Sequence, residues 1–351
     1  MLWLLGALGA LAVGSAVSDL GAQDDEPEQD DGGSDDFASR APIPGANLLD
    51  ELPGPSHTDI ESDAIAKPDK GVIGEGAEYL PDDTVDPADD DYDLVTGTDG
   101  SDTLIADQNA AFLTGRGGDD LLIGAGGDDH ISGGLGEDTA LGGAGDDTIR
   151  GEGGDDSLTG DTGDDEIYGA EGADTLAGGA GNDSLAGGDG DDYLMGEAGD
   201  DTLHGLQGDD ILSGGAGEDA VFGGRGDDTL SGVEASDDAA RDFLNGGEGN
   251  DHLIAGAKDV VSTGTGADTV VLDFFDGGNE PVFITDFTAD EDTLVISYED
   301  TDETPPDLKI EPDEEDEAFF RVLLDDVLVA EVLSDAPLLP GHVSLQPVAG
   351  A

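Results

Sequence analysis

GGLGEDTAL (133–141), GGAGDDTIR (142–150) and GEGGDDSLT (151–159) are three successive copies of one nine-residue unit, and its frame runs from Gly115 to Ser231 without a slip. These 117 residues hold thirteen copies (117/9 = 13). Position 1 is Gly in every copy. Position 4 is Gly as well: Gly118, Gly127, Gly136, Gly145, Gly154, Gly163, Gly172, Gly181, Gly190, Gly199, Gly208, Gly217 and Gly226. Position 6 is always Asp: Asp120, Asp129, Asp138, Asp147, Asp156, Asp165, Asp174, Asp183, Asp192, Asp201, Asp210, Asp219 and Asp228. Position 8 is aliphatic throughout, with Ala140 the smallest member.

Positions 1–6 are rich in turn formers, and positions 6–9 alternate as a short strand does. Two units then make one coil, and coils stack because a single unit cannot bury its apolar side chain alone. Glycine at positions 1 and 4 is expected to take positive φ and turn carbonyls inward, where a side chain would strike the next coil. Asp at position 6 adds a carboxylate oxygen. Stacked turns can then surround a cation with about six oxygens, a number and hardness that suit Ca²⁺ over zinc or copper. The position-8 side chain points into the roll.

The pattern G-G-x-G-x-D-x-U-x resembles the RTX family of calcium-binding nonapeptide repeats. That resemblance implies an all-β fold, a parallel β-roll forming a right-handed calcium-binding solenoid, capped by a small C-terminal β region. It implies multiple Ca²⁺ ions held by the position-4 glycines and position-6 aspartates named above. Asp251 and Asp268 join them from two outlying copies, GGEGNDHLI (246–254) and TGTGADTVV (263–271). It also implies export through type I secretion machinery, with a signal in the tail 338–351.

Charge points the same way. The chain carries 87 Asp and Glu against 10 Lys and Arg, a formal net charge of −77, which repels nucleic acid and anionic membrane surfaces and favours cations. Within 115–231 the balance is 30 acidic residues against Arg116, Arg150 and Arg225, or −27. About one Ca²⁺ per repeat supplies roughly +26 and nearly neutralises it. The array is therefore expected to be disordered without calcium and to fold on binding it. There is no Cys, which excludes disulfide staples and thiolate metal sites. Position 5 is acidic in eleven of the thirteen copies, Ala173 and Asn182 being the exceptions, and these side chains are expected to face solvent.

The chain divides into four parts. Residues 1–22 contain an uncharged apolar run, 2–17, which reads as a membrane anchor, an export signal or a packed helix. Residues 23–93 are acidic and Pro-rich with neither a 3.6 nor a 2.0 period, as in a disordered linker. The roll is assigned to 94–271. Its copy at 106–114 (ADQNAAFLT) lacks the glycines and Asp, and 233–245 interrupts the frame, so the ladder of ions is expected to fail at 106–114 and 232–262. Residues 272–351 form the capping and secretion region. There VFITDFTADEDTLVIS (282–297) is similar to an I-x-D-F-x-x-x-x-D-x-L element that follows the roll in RTX proteins, and five alternating runs predict short antiparallel strands.

Catalytic signatures are lacking. The five histidines, His57, His130, His204, His252 and His342, form no H-E-x-x-H pair, and there is no G-x-S-x-G elbow or Walker loop. The expected protein is a non-catalytic, exported structural or interaction protein that binds calcium. The alternatives are an RTX-linked extracellular enzyme of the polysaccharide epimerase or lyase type, or an adhesin. For an enzyme of that type the basic residues are too scattered along the sequence. Interrupted Thr139, Thr148, Thr175, Thr202 and Thr229 argue against an ice-binding ladder.

Overall fold

Residue alternation along each unit dictates the architecture: position 8 is buried, position 7 is not and position 9 is buried only at Ala177 and Ser231 of the thirteen copies, and this puts one aliphatic side chain per unit inside. The computed structural model describes residues 78–79, 93–233, 240–272, 280–299, 305–313 and 316–348. The apolar segment 1–22 lies outside these residues, as does the linker 23–93 except for 78–79 and 93. Among the described residues no helix is long and apolar enough to cross a membrane.

The described residues form an all-β parallel solenoid of two facing sheets, one of 15 strands and one of 12. The chain alternates between them, so neighbours within a sheet are one coil, or 18 residues, apart. Ile149 pairs with Ile167 and Ile167 with Leu185 in the larger sheet. Leu158 pairs with Leu176 and Leu176 with Leu194 in the smaller. The strands are longer than the sequence period suggests. Thr148–Gly153, for example, spans positions 7 to 3 of adjoining units. Only positions 4–6 turn.

Backbone angles correct the expected role of one glycine. Position-4 glycines do adopt positive φ, as at Gly154 (129°), but the position-1 glycines do not. Position 1 needs glycine for space. A methyl group on Gly115 would collide with Asp120 Oδ2 and lie 2.5 Å from the carbonyl oxygen of Gly133 on the next coil. The other left-handed position is 2, where even Glu152, Glu197 and Leu206 take φ of 80°, 77° and 84°.

The interruptions do not break the stack. Phe243–Glu248 pairs in parallel with Ala220–Arg225 at a separation of 23, so 18 residues plus a five-residue insertion are bridged in register. Beyond residue 271 the expectation of antiparallel strands is only half met. Val282–Phe287 and Thr293–Glu299 continue the two sheets in parallel, and Val343–Val348, inside the tail read as a secretion signal, adds a further parallel strand. Among the described residues of this region, Leu308–Pro312, Phe319–Leu324 and Val327–Ser334 pair antiparallel and close the end of the larger sheet, where Val327–Ser334 also pairs in parallel with Val282–Phe287. A closed end is what a solenoid requires, since an open one exposes apolar side chains and unpaired strand edges.

One core side chain per unit, from Leu104 through Ile149, Ile167 and Leu203 to Val270, is buried at no more than 2% exposure. Full burial of such a side chain contributes about 1.5–3 kcal/mol. Ile167→Ala is therefore expected to destabilise the calcium-loaded protein by about 2–5 kcal/mol. Thr148→Ala, on the outer face, should change it little. Thermal unfolding in calcium checks both, and equal losses would contradict a core carried by position 8.

Candidate metal centre

The turns between strands carry the predicted aspartates in two files, one on each edge of the coil. Asp120, Asp138, Asp156, Asp174, Asp192, Asp210 and Asp228, continued by Asp251 and Asp268, follow strands of the larger sheet. Asp129, Asp147, Asp165, Asp183, Asp201 and Asp219 follow strands of the smaller. All are buried, none more than 3% exposed.

Each carboxylate divides its two oxygens. Oδ1 accepts the main-chain N–H of the position-6 residue one coil earlier: Asp138 N–H reaches Asp156 Oδ1 at 2.7 Å, and Asp156 N–H reaches Asp174 Oδ1 at 2.8 Å. This chain of bonds fixes coil upon coil. Oδ2 of all fifteen aspartates is buried and has no hydrogen-bond partner. An unsatisfied buried polar group costs on the order of 1–3 kcal/mol, and more when charged. Repeated fifteen times, that cost demands a ligand.

The space around Oδ2 says which kind. Oδ2 of Asp210 and the carbonyl oxygen of Gly223 on the next coil both face the point where a side chain on Gly205 would begin, the carbonyl at 2.7 Å. Main-chain carbonyls at position 4 also line up along the stack. Gly118 O lies 2.5 Å from where a methyl on Gly136 would sit. The donors are carboxylate and carbonyl oxygens only, the hard set that suits calcium. The residues present therefore fit the ion. The sequence predicts inward carbonyls at positions 1 and 4; of the glycines, the candidate ligand residues include only those at position 4, and the position-1 carbonyl faces this space as well.

A further rung was missed inside the insertion. Asp242 is 1% exposed, and its Oδ1 accepts the N–H of Asp219 at 2.9 Å. The run Asp242-Phe243-Leu244 keeps the D-x-U spacing that could have revealed it. Thus the ladder of carboxylates runs through 232–262 rather than failing across it. At 106–114 the carboxylate is absent, as expected. Ala111 stands at position 6, donating its N–H to Asp129 Oδ1 at 2.6 Å, while Asp107 Oδ1 accepts Asn109 N–H at 2.9 Å to hold the turn.

Position 5 is exposed, yet it is not merely solvated. Asp146 Oδ1 accepts the N–H of Asp164 at 3.0 Å, and Asn182 Oδ1 that of Asp200 at 2.9 Å. These bonds run opposite to the inner ladder and brace the outer edge of each turn. His130, His204 and His252 stay on the outer strand faces. His204 stacks on Phe222 at 4.6 Å between centroids, and burial lowers its pKa. Arg150 lies 5.0 Å over Tyr168 on the same sheet, so some basic and aromatic residues that are scattered in sequence do meet in space.

Desolvation is the largest influence on the inner carboxylates, opposed by the N–H bond to Oδ1 and reinforced by neighbouring carboxylates. It pushes Asp147, Asp156, Asp165, Asp192, Asp201, Asp210 and Asp228 up to about 7, and Asp138 and Asp251 up to about 6, from 3.8.

The model of the RTX calcium-binding nonapeptide repeat matches residues 108–140, 132–167, 141–176, 168–203, 195–230 and 236–270. No curated protein matches the chain.

The raised pKa values fix the sign of a pH effect on the metal-free chain. Between about 4 and 7 the folded roll retains protons that the unfolded chain has released, so its stability is full below 3.8 and is lost as pH rises through about 7. In chelator, strand content measured by circular dichroism should rise when pH is lowered from 7.5 to 5. An equal or smaller strand signal at pH 5 would contradict this.

Proposed function

We propose, from the premise that residues 108–270 are RTX calcium-binding nonapeptide repeats, that this chain is an exported, non-catalytic structural or interaction protein whose roll folds on binding Ca²⁺. The observation that carries the reading is that the Oδ2 atoms of the fifteen predicted aspartates are buried without a hydrogen-bond partner. Bound Ca²⁺ supplies the positive charge that these atoms lack. The chain's own groups do the rest. Asp Oδ1 fixes the carboxylate to the preceding coil, as Asp192 does on Asp174 N–H at 2.8 Å. The position-1 glycine keeps the cradle open, and the position-4 carbonyls aim along the stack. Strand pairing then buries the position-8 column. Folding and binding are one event, because neither the cradle nor the neighbouring coil exists in the unfolded chain.

An extracellular setting supports such a design. Its calcium concentration matches the affinity of extracellular calcium modules, on the order of 10⁻⁴ to 10⁻³ M. The net charge of −77 opposes nucleic acid as a partner and keeps the chain soluble. The apolar segment 2–17 is the candidate export signal or surface anchor, and secretion machinery is its first partner. The non-catalytic assignment rests on the repeat itself, which uses each inner carboxylate in the same way from coil to coil.

Circular dichroism at pH 7.5 tests this reading. Calcium at millimolar concentration should produce the strand signal, and EDTA should abolish it reversibly. A strand signal indifferent to EDTA would sink the reading.

A further inference from the structure

We propose that the residue at position 2 decides whether a turn takes a cation, and that the chain closes the ends of its carboxylate files with its own donors. The proposal builds on the reading that the open carboxylates bind Ca²⁺. In each turn of the fifteen predicted aspartates, whose Oδ2 lacks a hydrogen-bond partner, the residue four before the Asp has positive φ, from 74° at Ala125 to 134° at Gly188. This holds even for Arg116, Glu152, Asp161, Glu197 and Leu206, side chains that ordinarily avoid that region.

Three buried carboxylates of the same series differ. Asp102 Oδ2 accepts the N–H of Thr98 at 2.6 Å and its hydroxyl at 2.8 Å. Asp292 Oδ2 accepts the N–H of Thr288 at 2.8 Å and the hydroxyl of Thr263 at 3.2 Å. Asp259 Oδ2 accepts the N–H of Gly256 at 2.7 Å. Neither Thr98 nor Thr288, four before its Asp, has positive φ, and neither does Ala255, four before Asp259, where the closing donor is the next residue, Gly256. A β-branched Thr resists the left-handed region, and in the ordinary one its N–H is placed to reach the carboxylate four residues on. The oxygen that would face a cation is then already bonded.

The closures sit where a cation would have a turn on one side only. Asp102 and Asp292 begin and end one file, since Asp102 N–H reaches Asp120 Oδ1 and Asp268 N–H reaches Asp292 Oδ1. Asp259 ends the other, accepting Asp242 N–H at 3.0 Å, and Ala111 begins it with no carboxylate at all. The last coil thus has its buried carboxylate satisfied by protein, over a core containing Phe287, Leu294 and Ile296 at 0% exposure. It holds without metal, whereas the interior does not.

Hydrogen exchange of the full chain, read by mass spectrometry in chelator, tests the closure directly. Amides of 282–299 should exchange at least tenfold more slowly than those of 154–231, and the difference should vanish in calcium. Equal rates in chelator would overturn the proposal whether or not the interior binds calcium. Equilibrium dialysis supplies the second arm. Asp102→Asn and Asp292→Asn should leave the number of bound Ca²⁺ unchanged, while Asp210→Asn lowers it, and an equal loss from Asp292→Asn would refute the closure. Gly188→Thr, which installs the closing residue in the interior, should lose at least one ion while keeping its strand signal in calcium; retention of the full number would refute the role of position 2. A wild-type chain that bound no calcium would defeat the functional reading, with the exchange comparison still judging the closures.

Discussion

A carboxylate buried beneath each interior turn, with one oxygen tied to the preceding coil and the other left without a hydrogen-bond partner beside a glycine, is the constraint on which the roll depends. The tied oxygen makes the stack, because Asp N–H to Asp Oδ1 bonds such as Asp165 to Asp183 at 2.8 Å repeat from coil to coil. The free oxygen makes the stack conditional. Apolar burial alone is modest here, one side chain per unit, and it must overcome both chain entropy and a file of like charges. A divalent cation removes the second obstacle, and the first is then met by repetition.

Glycine serves this arrangement in two physically different ways. At position 4 it supplies a left-handed turn, and at position 1 it supplies emptiness: a side chain there would occupy the point on which Asp Oδ2 and the next coil's carbonyl converge. The inner ladder runs one way along the axis and the position-5 ladder the other. Each turn is thus held from both sides while its centre stays open. Closure occurs only at the ends, where Thr98, Gly256 and Thr288 bond the oxygen that is open elsewhere.

Most of this was legible in the sequence because strict periodicity turns one local inference into thirteen. Asp at position 6, Leu or Ile at position 8 and glycine at position 4 each declared a burial, a core contact and a turn. What escaped was whatever depends on contacts between coils. At position 1 the sequence predicts both a positive φ and a close approach to the next coil, and the neighbouring carbonyl leaves only the close approach. Asp242 was passed over because a five-residue insertion hides its phase, yet the ladder recovers it through Asp219 N–H. Thr293–Glu299 was expected to pair antiparallel because its glycines had stopped. The register with Thr269–Leu272, not the composition, keeps it parallel.

The central claim, that the buried Oδ2 atoms are cation ligands, is tested most directly by anomalous diffraction from crystals grown in calcium. The account predicts two files of calcium peaks along the edges of the roll, each about 2.3–2.6 Å from an Asp Oδ2. Ordered water at those oxygens, with calcium confined to the exposed position-5 carboxylates, would contradict it.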